Sequence, residues 1–289
     1  MHDLHINWRG PLASCNYDCA YCPFAKHVSS RAELDADREA LARFVEWCES
    51  PEARARQLSI RFTPWGEALI RPHYATALVA LSHLPQVRAV AIQTNLSARL
   101  EPLAEADLEA LSLWTTFHPS ETSLAAFVGR CAILDALGVR YSVGVVGLRE
   151  HFELIEALRA ALRPEVYLWV NAYKSAGPGY YAVGDEARLA AIDPLFEFNA
   201  RRHSSRGQAC GAGQTALFVR GDGRVSRCHF VDEALGNLYR DSLATMLGER
   251  VCPVERCGCF IGYVHLDSLG LRGRFGDGLA GRMLPVLPG

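Results

Sequence analysis

Three cysteines near the start of the chain set the first chemical expectation. Cys15, Cys19 and Cys22 lie in the run CNYDCAYC, a C-x3-C-x2-C spacing that puts three thiols on one short loop. Cysteine thiolates are the usual protein ligands of iron–sulfur clusters, and a full set is four. Three leave one iron of a [4Fe–4S] cube without a protein ligand. An open coordination position marks a site that binds a substrate. The alternative is a structural zinc site with His27 as its fourth ligand.

A second group lies near the other end. Cys210 and Cys228 bracket the run CGAGQTALFVRGDGRVSRC, where two strand-like stretches flank Gly221-Asp222-Gly223 in the pattern of a β-hairpin. A hairpin lays residues distant in sequence side by side. Cys252, Cys257 and Cys259 follow. Ten cysteines are too many for casual use in a reducing compartment, where disulfides are disfavoured, so metal or redox chemistry is expected of the clustered ones. Only Cys48 and Cys131 stand alone, each in a helical pattern that suits a small buried hydrophobe.

Composition narrows the class. The chain has 289 residues, 49% of them hydrophobic, enough for one large domain or a domain with an appendage. A net charge of -2 gives no drive toward nucleic acid or an anionic membrane. The start, MHDLHINWRG, lacks the apolar core of a signal peptide, and no apolar run approaches the ~18 residues of a membrane span. A soluble, cytoplasmic protein is expected.

The elements that must position the cysteines alternate between strand and helix. Apolar runs at 4–10, 57–65, 87–95, 111–118, 140–148 and 165–173 read as strands buried on both faces. Helices are expected at 30–50, where Ser30 and Glu33 have capping-box spacing, and at 73–84, 123–138 and 151–163, with Gly138 placed as a C-cap. Weaker helices fit 104–110 and about 185–203. Six strand–helix units imply an α/β fold, a partial (β/α)6 TIM-like barrel over residues 1–206. The basic stretch 201–206 reads as a solvated linker. Residues 207–289 are expected to form a small β-hairpin/helix iron–sulfur domain, with a helix at 242–249 and a Gly-rich tail at 270–289. Barrels of this kind keep their chemistry on the loops after the strands, and the Cys15 loop falls there.

With Tyr21 before Cys22, the motif reads C-x3-C-x-aromatic-C after a first strand, which resembles the radical S-adenosylmethionine (SAM) superfamily. The resemblance implies that Cys15, Cys19 and Cys22 hold a catalytic [4Fe–4S] cluster whose unique iron chelates SAM. Reductive cleavage of the sulfonium would give methionine and a 5′-deoxyadenosyl radical. Thr63-Pro64-Trp65-Gly66-Glu67 is similar to the family's Gly-Gly-Glu motif, with Trp65 in place of the first glycine. Glu67, beside Gly66, is then the partner of the SAM ammonium. Gln93-Thr94-Asn95 resembles the family's Thr-Asn pair near the methionyl and ribose groups, although Asn95 equally suits a turn. Val143 to Gly147, including Val145, is similar to the adenine-contacting strand.

The Cys210–Cys228 run, with Gly223-x4-Cys228, resembles the first half of the family's twitch/SPASM domains. This implies an auxiliary [4Fe–4S] cluster held by Cys210, Cys228, Cys257 and Cys259, with Cys252 as a rival ligand. With four cysteines it would carry electrons, and with three it could bind substrate.

Residues after the fourth to sixth strands are candidates to face the substrate: His118, Glu121, Arg149, Glu150, Asn171, Tyr173 and Lys174. His118 or Glu121 could act as a catalytic acid or base. The resemblance implies an oxidoreductase or peptide-modifying enzyme that abstracts hydrogen from an unactivated C–H bond. Its substrate would be a ribosomally made peptide under maturation, or a small alcohol, sugar or other metabolite. A reductase with flavodoxin, or a ferredoxin, would supply electrons. No winged-helix segment is evident before Cys15, which tilts against leader-peptide binding within this chain. Two other classes remain open. An iron–sulfur electron-transfer protein predicts four-cysteine ligation at both clusters and no SAM cleavage. A zinc module on nucleic acid predicts a colourless protein with a basic face.

Overall fold

The computed structural model describes residues 3–285 except Ala25 and Pro178. Six strands alternate with helices: β1 (Asp3–Arg9), α1 (Arg31–Cys48), α2 (Pro51–Arg54), β2 (Gln57–Phe62), α3 (Pro72–Ser82), β3 (Val87–Thr94), β4 (Leu111–Phe117), α4 (Leu124–Leu137), β5 (Arg140–Gly147), α5 (Phe152–Ala161) and β6 (Leu168–Ala172). Strands β1 to β6 pair in parallel, each with the next. This is the partial (β/α)6 arrangement that the strand–helix alternation predicts. The local signals act as expected. Ser30 and Glu33 close a capping box on α1. Gly138 ends α4 at φ 71°, a left-handed conformation that suits a residue without Cβ.

Several sequence expectations are corrected. Residues 104–110 hold no α-helix; a 3-10 segment runs over Glu101–Glu105. The stretch 185–203 is broken into α6 (Asp185–Ala190) and α7 (Phe196–Ala200), because Pro194 disfavours helical backbone at Asp193. The Asp193 carboxylate instead accepts from Val170 N, Leu195 N and Tyr167 Oη at 2.7–2.9 Å, tying this turn to β6. The basic stretch also carries structure. β7 (His203–Ser204) pairs with a later strand, β11 (Arg256–Cys257), and Arg206 pairs with Glu255 at 2.5 Å.

The hairpin is β8 (Ala216–Arg220) and β9 (Arg224–Cys228), followed by β10 (Val231–Asn237). It joins the barrel sheet, since β8 pairs in parallel with β1. The nine-stranded order is β10-β9-β8-β1-β2-β3-β4-β5-β6. The helix expected at 242–249 is a single turn, α8 (Leu243–Met246), and α9 (Phe260–Tyr263) and α10 (Leu271–Phe275) follow the last cysteines.

The two faces of the sheet differ. Leu4, Ile6, Leu58, Ile60, Val143 and Val145 belong to a fully buried layer against the helices. The inward face carries Asn7, Arg61, Ser112, Trp114, Ser142 and Trp169, so the strands are not uniformly apolar. This polar interior is closed by the tail. Arg61 donates to the carbonyls of Leu279 and Ala280, and Ser142 Oγ donates to Gly281 O at 2.7 Å. The last four residues of the Gly-rich tail lie outside the described residues.

Gly144 makes this filling possible. A Cβ there would stand 1.9–2.2 Å from atoms of the Trp169 ring. Gly144→Ala is expected to destabilise the fold by about 1–3 kcal/mol through overpacking. Thermal unfolding checks this, and an unshifted midpoint would contradict the packing described.

Candidate functional site

The three-cysteine loop leaves the C-terminal end of β1, where a barrel presents its chemistry. Its first residues are anchored by Asp37 on α1, a fully buried carboxylate. Asp37 accepts from Leu12 N at 3.1 Å and Tyr74 Oη at 3.0 Å, and lies 3.3 Å from His73 Nε2. An antiparallel bridge between Ser14 and Lys26 closes the loop. Lys26 Nζ donates to Cys19 O at 2.9 Å and pairs with Asp18 at 2.7 Å. Tyr17 N reaches Cys15 Sγ at 3.4 Å, and Cys22 N donates to Cys19 O at 3.0 Å.

The residues present fit a cube. All three cysteines are free thiols. Burial pushes the Cys15 thiol up; the Tyr17 N–H opposes this, and the negative charges of Glu67, Cys19 and Cys22 add to it. Such thiols lie within one another's field and would be deprotonated on binding metal. Three thiols on one short loop match the donor type of an iron–sulfur cube. A four-iron cube takes one thiolate per iron.

His118, at the end of β4, braces this loop. Its Nδ1 lies 2.9 Å from Tyr21 Oη and 3.3 Å from Cys19 Sγ, and its ring stacks on Tyr21 at 6°. Burial lowers His118 to about 4, so at neutral pH it is uncharged and accepts from the Tyr21 hydroxyl. That is a positioning geometry for the cysteine loop. His118→Ala is expected to lower the iron retained after anaerobic reconstitution several-fold while leaving the circular dichroism spectrum unchanged. Full iron retention would contradict the bracing role. Glu121 lies within the electrostatic reach of Tyr17 and Cys19, on the same side.

Glu67 forms a bracket between the loops after β2 and β3. It is 2% exposed. Oε1 accepts from Leu69 N and Thr94 Oγ1 at 3.0 and 2.9 Å, and Oε2 accepts from Asn95 N at 2.5 Å. A carboxylate has about four lone-pair positions, so one remains for a further donor. Burial raises Glu67 to about 7, against the lowering effect of its three hydrogen bonds. Gly66 has φ 109°, which permits the turn that delivers Glu67 inward while Trp65 points away.

Thr94 and Asn95 are occupied by the same bracket and turn. Thr94 Oγ1 also accepts from Leu96 N at 3.0 Å. Asn95 Oδ1 accepts from Ser97 N, and its Nδ2 donates to Asn16 Oδ1 at 3.1 Å, joining the turn to the cysteine loop. Val145 is fully buried in the helix-facing layer, so the pleat turns it away from the interior; the half-buried Val146 stands on the other face.

The second cysteine group is gathered by backbone links. Cys252 N donates to Gln208 O at 3.0 Å, Cys210 bridges to Leu266, and Arg227 donates to the carbonyls of Arg250 and Val251. Burial pushes the Cys228 thiol up to about 11, and nearby Cys210, Cys252 and Cys259 add to this. Burial likewise raises Cys257 to about 12, with Cys228, Cys259 and Cys252 contributing. All five cysteines therefore share one neighbourhood. Cys259 is exposed, and Lys174, Arg282 and Arg9 lie within its electrostatic reach.

The other candidates divide. Lys174 donates to Asn199 and lies near Cys259, and burial lowers it to about 8. Tyr173 packs on Tyr180, and Asn171 is exposed. Arg149 pairs with Asp185 at 3.0 Å and Glu150 is exposed, so neither is brought to the cysteines. Sequence reasoning missed Arg282, which is 3% exposed. Its guanidinium lies 4.0 and 4.1 Å from the centroids of Phe260 and Trp169. Arg61, facing the same interior, was legible as a basic residue inside an apolar strand run.

No protein-family model and no curated protein matches the chain. Solved structures do. Native anSMEcpe with bound AdoMet matches at 14% identity and TM-score 0.56, over 84% of this chain and 80% of that one. Streptococcus suis SuiB bound to S-adenosylmethionine matches at 16% identity and TM-score 0.56, over 86% and 67%. Native anSMEcpe with AdoMet and the Cp18Cys peptide matches at 14% identity and TM-score 0.53, over 84% and 80%. These neighbours are radical SAM enzymes, and the chain shares their fold. Among the described residues, no helix is long and apolar enough to cross a membrane.

Proposed function

We propose that this chain is a radical SAM enzyme acting on a peptide, with a catalytic [4Fe–4S] cluster on Cys15, Cys19 and Cys22. The observation that carries the reading is the three-thiol loop at the end of β1, joined through Asn16 and Asn95 to the buried Glu67 bracket. When bound on Cys15, Cys19 and Cys22, the cluster would supply the electron for reductive cleavage of SAM and so the radical chemistry that removes hydrogen from the substrate. The chain's own residues do the positioning. Asp37 and Lys26 fix the loop, Tyr21 and His118 brace it, and Glu67 offers its remaining lone pair to the SAM ammonium.

An auxiliary [4Fe–4S] cluster is held by Cys210, Cys228, Cys257 and Cys259, with Cys252 as the rival ligand, in a twitch/SPASM-like region over 207–289. With four cysteine ligands such a cluster would supply an electron-carrying group, and a reductase with flavodoxin, or a ferredoxin, would be the electron donor. The peptide reading is supported by a structural neighbour that holds a peptide. Dehydrogenation of a small alcohol or sugar is the alternative outcome of a substrate screen.

Iron counting tests the assignment. Anaerobically reconstituted protein is expected to hold about eight irons per chain, two cubes. Cys210→Ala with Cys228→Ala is expected to leave about four irons. Zinc in place of iron, or four irons lost from neither group, would overturn the two-cluster reading.

A further inference from the structure

A cleft of about 550 Å3 lies between α1, the β8–β9 hairpin and the loop after β1. Its lining includes residues close in sequence to both cysteine groups. Ala13 precedes the Cys15 loop, and His229 follows Cys228 directly. Trp65 stacks on Phe24, just beyond Cys22, at 5.9 Å and 12°. The wall nearest the hairpin is closely packed: a Cβ on Gly221 would meet Pro11 at 2.9 Å and Ala40 at 3.1 Å.

Arg9 stands in this cleft with a ring on each side, 5.0 Å from the Trp65 centroid and 5.1 Å from Phe218. Its Nε donates to Thr63 O at 2.7 Å, and Nη1 meets the His229 ring at 2.9 Å. Among the described residues no carboxylate forms an ion pair with Arg9. A guanidinium carries five N–H donors, and these contacts leave some of them free. Arg43 and Arg220 line the same cleft; Glu39 and Asp222 are its acids, and Asp222 is engaged with Arg224 N. A half-buried cation between aromatic faces, with spare donors, is a receptor for a planar or tetrahedral anion.

We infer that this cleft binds the anionic group of the substrate, a carboxylate or a phosphate, with Arg9 as its anchor between Trp65 and Phe218. The inference rests on the radical SAM reading for the identity of the occupant as substrate, and it names that substrate's charge.

Trp65 is 40% exposed in the cleft and serves as the reporter. Intrinsic fluorescence of the anaerobically reconstituted full chain is titrated with inorganic phosphate, N-acetylglutamate and its neutral counterpart N-acetylglutamine amide, in which both carboxylates are amides. Saturable quenching by N-acetylglutamate or phosphate is expected, weakening at high salt, with at least a tenfold weaker response to N-acetylglutamine amide. The stronger of the two anions assigns carboxylate or phosphate. Arg9→Gln should weaken the response at least tenfold, Arg9→Lys much less, and Arg163→Gln, a surface control, not at all. Should Arg9→Gln fail to fold by circular dichroism, the charged-versus-neutral comparison on the wild-type chain decides alone. An equal response to N-acetylglutamine amide, no response to any probe, or displacement of the probe by SAM would overturn the inference. Release of 5′-deoxyadenosine by the wild-type chain without substrate is measured in parallel. Its absence alongside anion binding sinks the radical SAM reading and leaves the anion site; its presence without anion binding sinks the site alone.

Discussion

Replacing any one of Cys15, Cys19 or Cys22 with alanine is expected to abolish 5′-deoxyadenosine formation. The reason is the loop's economy. Three thiols serve three irons, and none is spare. The loop's other contacts, from Asp37, Lys26 and His118, fix its shape but offer no substitute thiolate. About four irons should be lost from the chain, while those at the second cysteine group remain. Iron content and nucleoside release, followed together by chromatography, check this. A single-cysteine variant that kept both would show that the loop is not the cluster site. Cys131→Ala, on α4 and far from both groups, should keep its iron and cost only packing.

Glu67→Gln is expected to weaken SAM binding about 10- to 100-fold, the worth of a charge-assisted hydrogen bond to a buried partner. The wild-type affinity should also depend on pH in a defined direction. Burial raises Glu67 to about 7 in the cofactor-free chain. Below that pH the group is neutral, and an arriving ammonium must first displace its proton. Affinity therefore falls as pH drops from 7 toward 5. The same shift acts on stability with the opposite slope. The folded state holds a proton that the unfolded chain releases, so Glu67 stabilises the fold at low pH. That contribution is lost between about 4.5 and about 7, on the order of 3 kcal/mol. Equilibrium dialysis with SAM, and denaturation of wild-type and Glu67→Gln chains from pH 5 to 8, measure both effects. Because the glutamine does not titrate, both pH dependences should flatten. Equal SAM affinity in the two proteins would show that Glu67 only brackets Thr94 and Asn95. Since glutamine presents an amide where Asn95 N donates, Glu67→Asp provides a second variant that keeps the charge.

The sequence made some parts legible for clear physical reasons. The strands β1 to β6 were readable because their helix-facing residues are uniformly apolar, and α1 and α4 because their caps are spelled out at Ser30 and Gly138. The place of the cysteine loop, directly after the first strand, was readable from the strand pattern. What escaped depends on contacts between distant segments. Nothing local shows that the tail returns 219 residues to meet Arg61, or that β8 pairs beside β1. The break at Asp193 was signalled by Pro194, but apolar periodicity on both sides concealed it. Thr94 and Asn95 carried a turn signal and a binding signal in the same residues, and the structure shows the turn. Arg9 read only as the end of a strand; its two aromatic neighbours come from loops and strands far along the chain.

The most direct measurement is product formation by the reconstituted wild-type chain, supplied anaerobically with SAM and dithionite. The account predicts methionine and 5′-deoxyadenosine in equal amounts, dependent on the reductant and absent from the Cys15→Ala chain. An iron-loaded wild-type protein that binds SAM yet releases neither product under reduction would contradict it.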